Sequence, residues 1–373
     1  MVVITADGME NAGRRYSLAK VREMIERQRA KYGWEFIFPG ANMDAVHEAG
    51  KLGIDAESSM NFRADSEGVR ANSEAAAMAV GELRVKGARA IAWREHIERT
   101  SKKEDESMLG AIIGDIVGSR FEFHNRRNKG FDLFAPRCRS TDDSIMTLAV
   151  AQALMEAGEN AEALPGCAVR WMQELGREYP HCGFGGMFRT WIHTDDPQPY
   201  GSYGNGAAMR VSPVGFYAGS EDEVRRLSHA VTAVSHDHPE GLKGAEATAM
   251  AIYLARTGMD KAQIRERIER DYYRIDFTLD EIRPTYQFNE TCQNSVPQAL
   301  EAFFESESFE DAIRNAVSIG GDSDTIAAIA GGIAEAYYGI PEEIARRAEH
   351  FVPRALLDIL KRWREFMKQR EEE

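Results

Sequence analysis

GGDSDTIAAIAGGIAEAYYG, Gly320 to Gly339, runs from two acids and a threonine directly into alanines, glycines and isoleucines at helical spacing. The small residues predict a helix that approaches a neighbour closely in a core. The acids predict what sits at its mouth. A second stretch, STDDSIMTLAV (Ser140 to Val150), repeats the pattern some 180 residues earlier. Asp and Thr are good N-caps, and carboxylates are favourable at the positive end of a helix dipole. Capping explains Thr141 and one acid. It does not explain paired acids at both places, because neighbouring like charges repel unless something positive compensates.

Thr141, Asp142 and Asp143 in one stretch and Asp322, Asp324 and Thr325 in the other offer oxygen ligands only. Such sets suit Mg²⁺, Mn²⁺ or Ca²⁺, whereas zinc prefers His or Cys. Together they have enough carboxylates for two cations about 4 Å apart. Three further stretches are candidates to complete a pocket. GDIVGSRFE places Asp115, Gly118 and Glu122 around a tight segment, where Glu122 is either a general acid/base or a surface glutamate. YGSYGNGAAMR places Gly201, Ser202, Tyr203, Gly204 and Asn205 in a loop that either cradles a phosphate with backbone N–H groups or is simply irregular. VSHDHPEG offers His236 as a donor to phosphate or ribose; His236 and His238, two apart, do not converge on one metal. No nucleophile elbow, Walker loop or dinucleotide fingerprint is present.

From Met108 onward the spacing is helical almost throughout. The segments Asp142–Glu156, Ala161–Glu178, Glu221–Ser235, Gly241–Thr257, Lys261–Tyr273, Ser295–Glu305, Phe309–Ile319, Thr325–Tyr338 and Pro341–Glu371 read as helices. Residues 1–84 read differently. VVIT (Val2 to Thr5) and WEFIF (Trp34 to Phe38) read as strands. Ser17 to Gly33 and Asn42 to Gly53 read as helices, an alternation that predicts a parallel sheet. Residues 85–107, ending in SKKEDES, read as a charged connector. The expected organisation is therefore a small partial α/β segment (1–84), a linker (85–107) and a mainly α domain (108–373).

The chain has 373 residues and a net charge of −14, which argues against a nucleic-acid backbone as partner. Four cysteines without C-x-x-C spacing predict a reducing compartment. No apolar run approaches the ~20 residues of a membrane helix, and no signal peptide is visible. The expectation is a cytoplasmic protein that neither enters a membrane nor binds nucleic acid.

Two resemblances sharpen this. VVITADGMEN, with Asp7, resembles the C-terminal half of a von Willebrand factor A-like domain. The D-x-S-x-S loop of that fold belongs on an earlier strand and is not present, so its metal site is incomplete. The segment reads as a truncated domain for packing or assembly, with a protein partner as its expected role. Residues 108 to about 365 resemble the ADP-ribosylglycohydrolases through GAIIGDIVGSRFE, STDDSIMTLAV, YGNGAAMR, SHDHPEG and GGDSDTIAAIAGG, in that order. That resemblance implies an orthogonal all-helical fold and two Mg²⁺ (or Mn²⁺) held by Thr141, Asp142, Asp143, Asp322, Asp324 and Thr325. It implies catalytic roles for Glu122, Asp143 and Asp322. It also implies substrate contacts at Asp115, Gly118, Gly201, Ser202, Tyr203, Gly204, Asn205 and His236. The implied substrate is an ADP-ribosylated protein or a small-molecule ADP-ribose conjugate, cleaved at the glycosidic bond. The alternatives are a metal-dependent phosphoesterase or pyrophosphatase on ADP-ribose-like nucleotides and a catalytically silent ADP-ribose-binding scaffold.

Overall fold

The computed structural model describes residues 2–4, 6–7, 18–34, 36–41, 45–54, 58–61 and 108–372. The chain forms two compact units, residues 1–104 and 105–373. The expected connector at 85–107 and the expected cap Ser17 lie outside the described residues.

In the first unit, β1 (Val2–Val3) and β2 (Ala6–Asp7) pair in parallel with β3 (Phe36–Ala41) in one unbroken register. Between them runs α1 (Leu18–Tyr32), closed by Gly33 in the left-handed region, φ 64°, with its N–H on the Arg29 carbonyl at 3.0 Å. After α2 (Ala45–Lys51) comes β4 (Ser59–Asn61), also parallel to β3, a strand too short for alternation to reveal in the sequence. Ile25, Phe36, Phe38, Ala49 and Ile54 form its core.

The second unit is helical: α3 (Leu109–Gly118), α4 (Asp142–Ala157), α5 (Leu164–Glu178), α6 (Gly186–His193), α7 (Gly206–Met209), α8 (Ser212–Tyr217), α9 (Glu221–Thr232), α10 (Pro239–Arg256), α11 (Lys261–Asp271), α12 (Leu279–Ile282), α13 (Val296–Phe304), α14 (Phe309–Ser318), α15 (Ser323–Tyr338), α16 (Glu342–Ala348) and α17 (Arg354–Glu372). Their starts carry local signals. Ser220 and Ser308 cap α9 and α14, and Asp260 and Thr278 form capping boxes on α11 and α12. Prolines open α5, α8, α10 and α13. The single helix expected over 341–371 is in fact two. The first stops at Ala348 and runs into a 3₁₀ turn (Glu349–Phe351), after which Pro353, with no N–H to donate, holds Val352 in extended backbone (φ −99°, ψ 126°) and keeps the two apart.

The centre of the unit is the crossing of α3 and α15. Every residue of α3 is buried, as is every residue of α15 from Ser323 to Glu335. Gly110, Gly114 and Gly118 lie four apart on one face of α3 and meet Gly331, Ala327 and the Ser323–Asp324 backbone. A Cβ on any of the three would occupy space already filled by α15 main chain. At the start of α3, the Gly110 N–H donates to the Glu335 carboxylate at 2.7 Å, tying the two helices end to end.

Gly114→Ala should therefore cost about 3 kcal/mol or more, since the clash is with backbone that cannot rotate away. Gly166→Ala, at an exposed position of α5 with open space around it, should raise stability by about 0.5–1 kcal/mol. Urea unfolding midpoints of the two variants check both signs.

Candidate functional site

The α3–α15 contact carries Asp115 to the start of α4 and Asp324 to the start of α15. Asp115 is fully buried and works as a cap supplied from another helix. Its Oδ2 accepts the backbone N–H of Thr141 (2.8 Å) and of Ser144 (3.1 Å), and its Oδ1 accepts the Thr141 hydroxyl (2.6 Å). The Ser144 hydroxyl also donates to it. Thr141 in turn caps α4 by accepting from the Asp143 N–H. Across the site, Asp322 occupies the N-cap position of α15 but makes no capping bond. Its Oδ2 accepts instead from the Asn205 side chain at 2.6 Å.

The acids converge. Carboxylate oxygens of Asp115, Asp143 and Asp324 lie within 4.8 Å of one another, as do those of Glu122, Asp322 and Asp324, so the two groups share Asp324. Burial, then Asp324, pushes Asp115 and Asp142 up to about 7. Burial, then Asp324 and Asp142, pushes Glu122 up to about 8. Asp143 and Asp322 rise well above the ordinary carboxylate range, again through burial and acid neighbours, and burial raises Asp324. Arg139 is the cation that acts on Glu122, Asp142 and Asp324. Asp143 Oδ1 is buried with no hydrogen-bond partner. Crowded carboxylates and an orphaned oxygen are what a hard-cation site looks like from its donors.

All of these acids but Asp115 line a cavity of about 570 Å³ whose walls include two glycine-rich loops, Gly183–Gly186 and Gly201–Gly206. The second loop is rigid. Gly201 (φ 67°) donates its N–H to Asp237 at 2.7 Å, Asn205 donates to the Glu290 carbonyl at 2.7 Å, and Cys292 donates to the Tyr203 carbonyl at 3.0 Å. Gly183, at φ 139°, faces Asp142 so closely that a Cβ would strike its carboxylate.

His236 is buried beside this loop, and its electronics follow from a short chain of hydrogen bonds. Arg210, fully buried over the Phe188 ring, donates to Ser235 Oγ at 2.7 Å, and Ser235 Oγ lies 2.8 Å from His236 Nδ1. Arginine only donates, so the Ser235 proton is free to go to Nδ1, the arrangement in which His236 carries its own proton on Nε2. Burial and Arg210 hold its pKa well below the usual histidine value. His236 is thus a neutral donor at the Gly204–Gly206 loop.

Asp142, Asp143, Asp322, Asp324, Thr325, Glu122, Gly201, Ser202, Tyr203, Gly204, Asn205 and His236 all line the cavity. Asp115, Gly118 and Thr141 are not among the lining residues. Asp115 spends its oxygens on α4 and clusters with Asp143 and Asp324, while Gly118 is spent on the contact with α15. Arg210, Phe288 and the Gly183–Gly186 loop were not singled out from the sequence, although HCGFGGM is glycine-rich enough to have been noticed.

Residues 100–372 match the family model described as ADP-ribosylglycohydrolase. Among curated relatives, ADP-ribosylhydrolase ARH3 of Mus musculus is 25% identical over 325 residues, covering 65% of this chain and 86% of that protein. The ADP-ribosyl-[dinitrogen reductase] glycohydrolase of Rhodospirillum rubrum is 25% identical over 255 residues (63% and 85%). ADP-ribosylarginine hydrolase Tri1 of Pseudomonas putida is 26% identical over 274 residues (65% and 72%). A solved structure titled ADP-ribosylglycohydrolase-related protein complex superposes with a TM-score of 0.52 at 25% identity, covering 72% of this chain and 99% of that one.

Two outcomes follow from the electrostatics. A carboxyl whose folded pKa exceeds its ordinary value near 4 takes up a proton on folding. The site's contribution to stability is therefore greatest in acid and is lost as pH rises from about 4 through about 7, the value of Asp115 and Asp142. Thermal melts in EDTA should show this fall, and millimolar Mg²⁺ should oppose it more at high pH than at low. In Ser235→Ala the His236 ring should populate both tautomers, read from its ¹⁵N shifts. Unchanged shifts would remove Ser235 from the chain.

Proposed function

Because the chain belongs to the ADP-ribosylglycohydrolase family, we propose that it is a Mg²⁺-dependent hydrolase of the glycosidic bond between ADP-ribose and an acceptor, a protein side chain foremost. The observation that carries this reading is the buried carboxylate cluster with the orphaned Asp143 Oδ1, set at the floor of a cavity walled by glycine loops. Thr141, Asp142, Asp143, Asp322, Asp324 and Thr325 would hold two Mg²⁺, with Mn²⁺ as a substitute, and Asp115 would hold Thr141 and Ser144 in place behind them. When bound, such cations supply positive charge that fixes and polarises the vicinal hydroxyls of the distal ribose.

The chain's own groups account for the rest. The backbone N–H groups of Ser202 and Tyr203 and the Nε2–H of His236 are donors suited to a diphosphate, while those of Gly201 and Gly204 are spent on Asp237 and on Ser202 Oγ. Asn205 orients Asp322 by donating to it. The surrounding carboxylates favour the positive charge that develops at the anomeric carbon as the glycosidic bond lengthens. The electron pair of that bond goes to the acceptor, which takes a proton, and water adds to the carbon and loses one. Glu122, half-buried at the rim of the acid cluster, is the group positioned to exchange those protons. Among the described residues no helix is long and apolar enough to cross a membrane, and we place the reaction in the cytoplasm.

The test follows ADP-ribose release from ADP-ribosylated peptides with Mg²⁺ and with EDTA. Mg²⁺-dependent release is expected, and AMP among the products would replace the reading with a pyrophosphatase. Asp142→Ala and Asp322→Ala should each lower turnover on the order of 1,000-fold with circular dichroism unchanged. Unaltered turnover in both would sink the assignment.

A further inference from the structure

The exposed apolar surface of the helical unit is not scattered. Among its described residues the large exposed hydrophobics are Phe123 (74%), Met187 (64%), Tyr203 (45%) and Phe288 (40%). Met187, Tyr203 and Phe288 line the cavity, and Phe123 stacks on Phe288 with ring centroids 6.2 Å apart and planes at 27°. Exposed apolar side chains gathered at one opening mark a contact surface. The phenylalanine pair belongs to the acidic end of the cavity. Phe123 follows Glu122, whose carboxylate clusters with Asp322 and Asp324. Two residues on, Asn125 exchanges hydrogen bonds with the Gly321 main chain, donating to its carbonyl and accepting its N–H, both at 2.9 Å. Arg127 then staples this turn to the carbonyls of Ile319 (2.7 Å), Arg283 (2.5 Å) and Tyr286 (2.6 Å), which brings the segment leading to Phe288 against it. The rings are exposed, but the backbone beneath them is fixed.

We propose that Phe123 and Phe288 are the platform on which the acceptor lies, and that the platform selects a planar cation, the guanidinium of an arginine side chain, over a serine hydroxyl. This deepens the glycohydrolase reading and rests on it. An aromatic face attracts a cation, and a guanidinium also stacks flat on it. Glu122 and Glu290 border the same opening and offer carboxylate oxygens to guanidinium N–H groups. An aliphatic hydroxyl on a neutral peptide would use neither the rings nor the carboxylates, and a polyanionic acceptor would meet them as like charge. In the reaction the bond from the anomeric carbon to the guanidine nitrogen breaks, its electron pair stays on nitrogen, and nitrogen takes a proton. Water supplies the oxygen that replaces it on the sugar.

The experiment measures kcat/KM on arginine- and serine-ADP-ribosylated peptides for the parent, Phe123→Ala, Phe288→Ala and Phe123→Tyr. The affinity of each for free ADP-ribose is measured by calorimetry. The parent should favour the arginine peptide. Each alanine variant should lose about 5- to 10-fold on that peptide with ADP-ribose affinity unchanged, and Phe123→Tyr, which keeps the ring face, should restore it. A parent that favours serine, or alanine variants with unchanged kcat/KM on arginine, would overturn the platform while leaving the hydrolase reading intact. Weakened ADP-ribose binding in both alanine variants would also overturn it, by assigning the rings to the nucleotide. Release from neither peptide by the parent would instead count against the hydrolase reading itself.

Discussion

Two helices that touch main chain to main chain determine where everything else lies. With Gly110, Gly114 and Gly118 on the contact face, α3 approaches α15 until no side chain fits between them. Asp115, one position beyond the middle glycine, consequently leaves α3 toward the start of α4, where it receives both the Thr141 and Ser144 main-chain N–H groups. Asp324 opens α15 directly against Gly118. The two acidic helix starts therefore face each other because their supporting helices are in contact, and not because the acids attract anything to themselves.

Such a gathering is unfavourable on its own. Among the described residues six carboxyls share the space, the raised pKa values reflect their desolvation and mutual repulsion, and Arg139 acts against this on Glu122, Asp142 and Asp324. Three features keep it tolerable. Asp115 is saturated with hydrogen bonds, the starts of α4 and α15 present their positive ends to the acids, and Asn205 holds Asp322. The oxygens left over, Asp143 Oδ1 above all, point to a function that folding alone does not need.

Much of this could be read from residue order. Paired acids ahead of apolar runs marked both acidic helix starts, and five motifs in sequence identified the family. Helical spacing gave most of the expected helix starts in 108–373 to within a few residues. What could not be read depends on separation along the chain. The bond from Asp115 to Thr141 spans 26 positions and that from Asn205 to Asp322 spans 117, and nothing local announces either. Asp115 illustrates this: its neighbours in sequence suggested a pocket, and its neighbours in space include the first residues of α4. Arg210 and Ser235 were inside quoted motifs, but their effect on His236 exists only once α7 and the end of α9 meet. The glycine stripe of α3 was present as a four-residue repeat and was legible, had it been set beside the small residues of α15.

The helix crossing also separates two kinds of change open to this chain. Distances among the acids are set by backbone against backbone, so no rotamer or surface substitution can retune them. Phe123 and Phe288 stand on exposed positions whose main chain is anchored independently by Asn125 and Arg127. Variation is thus cheap at the rim and nearly forbidden at the centre. On the reading proposed above, side chains at the rim can change which acceptor is taken while the contact of two helices keeps the acid cluster where it is.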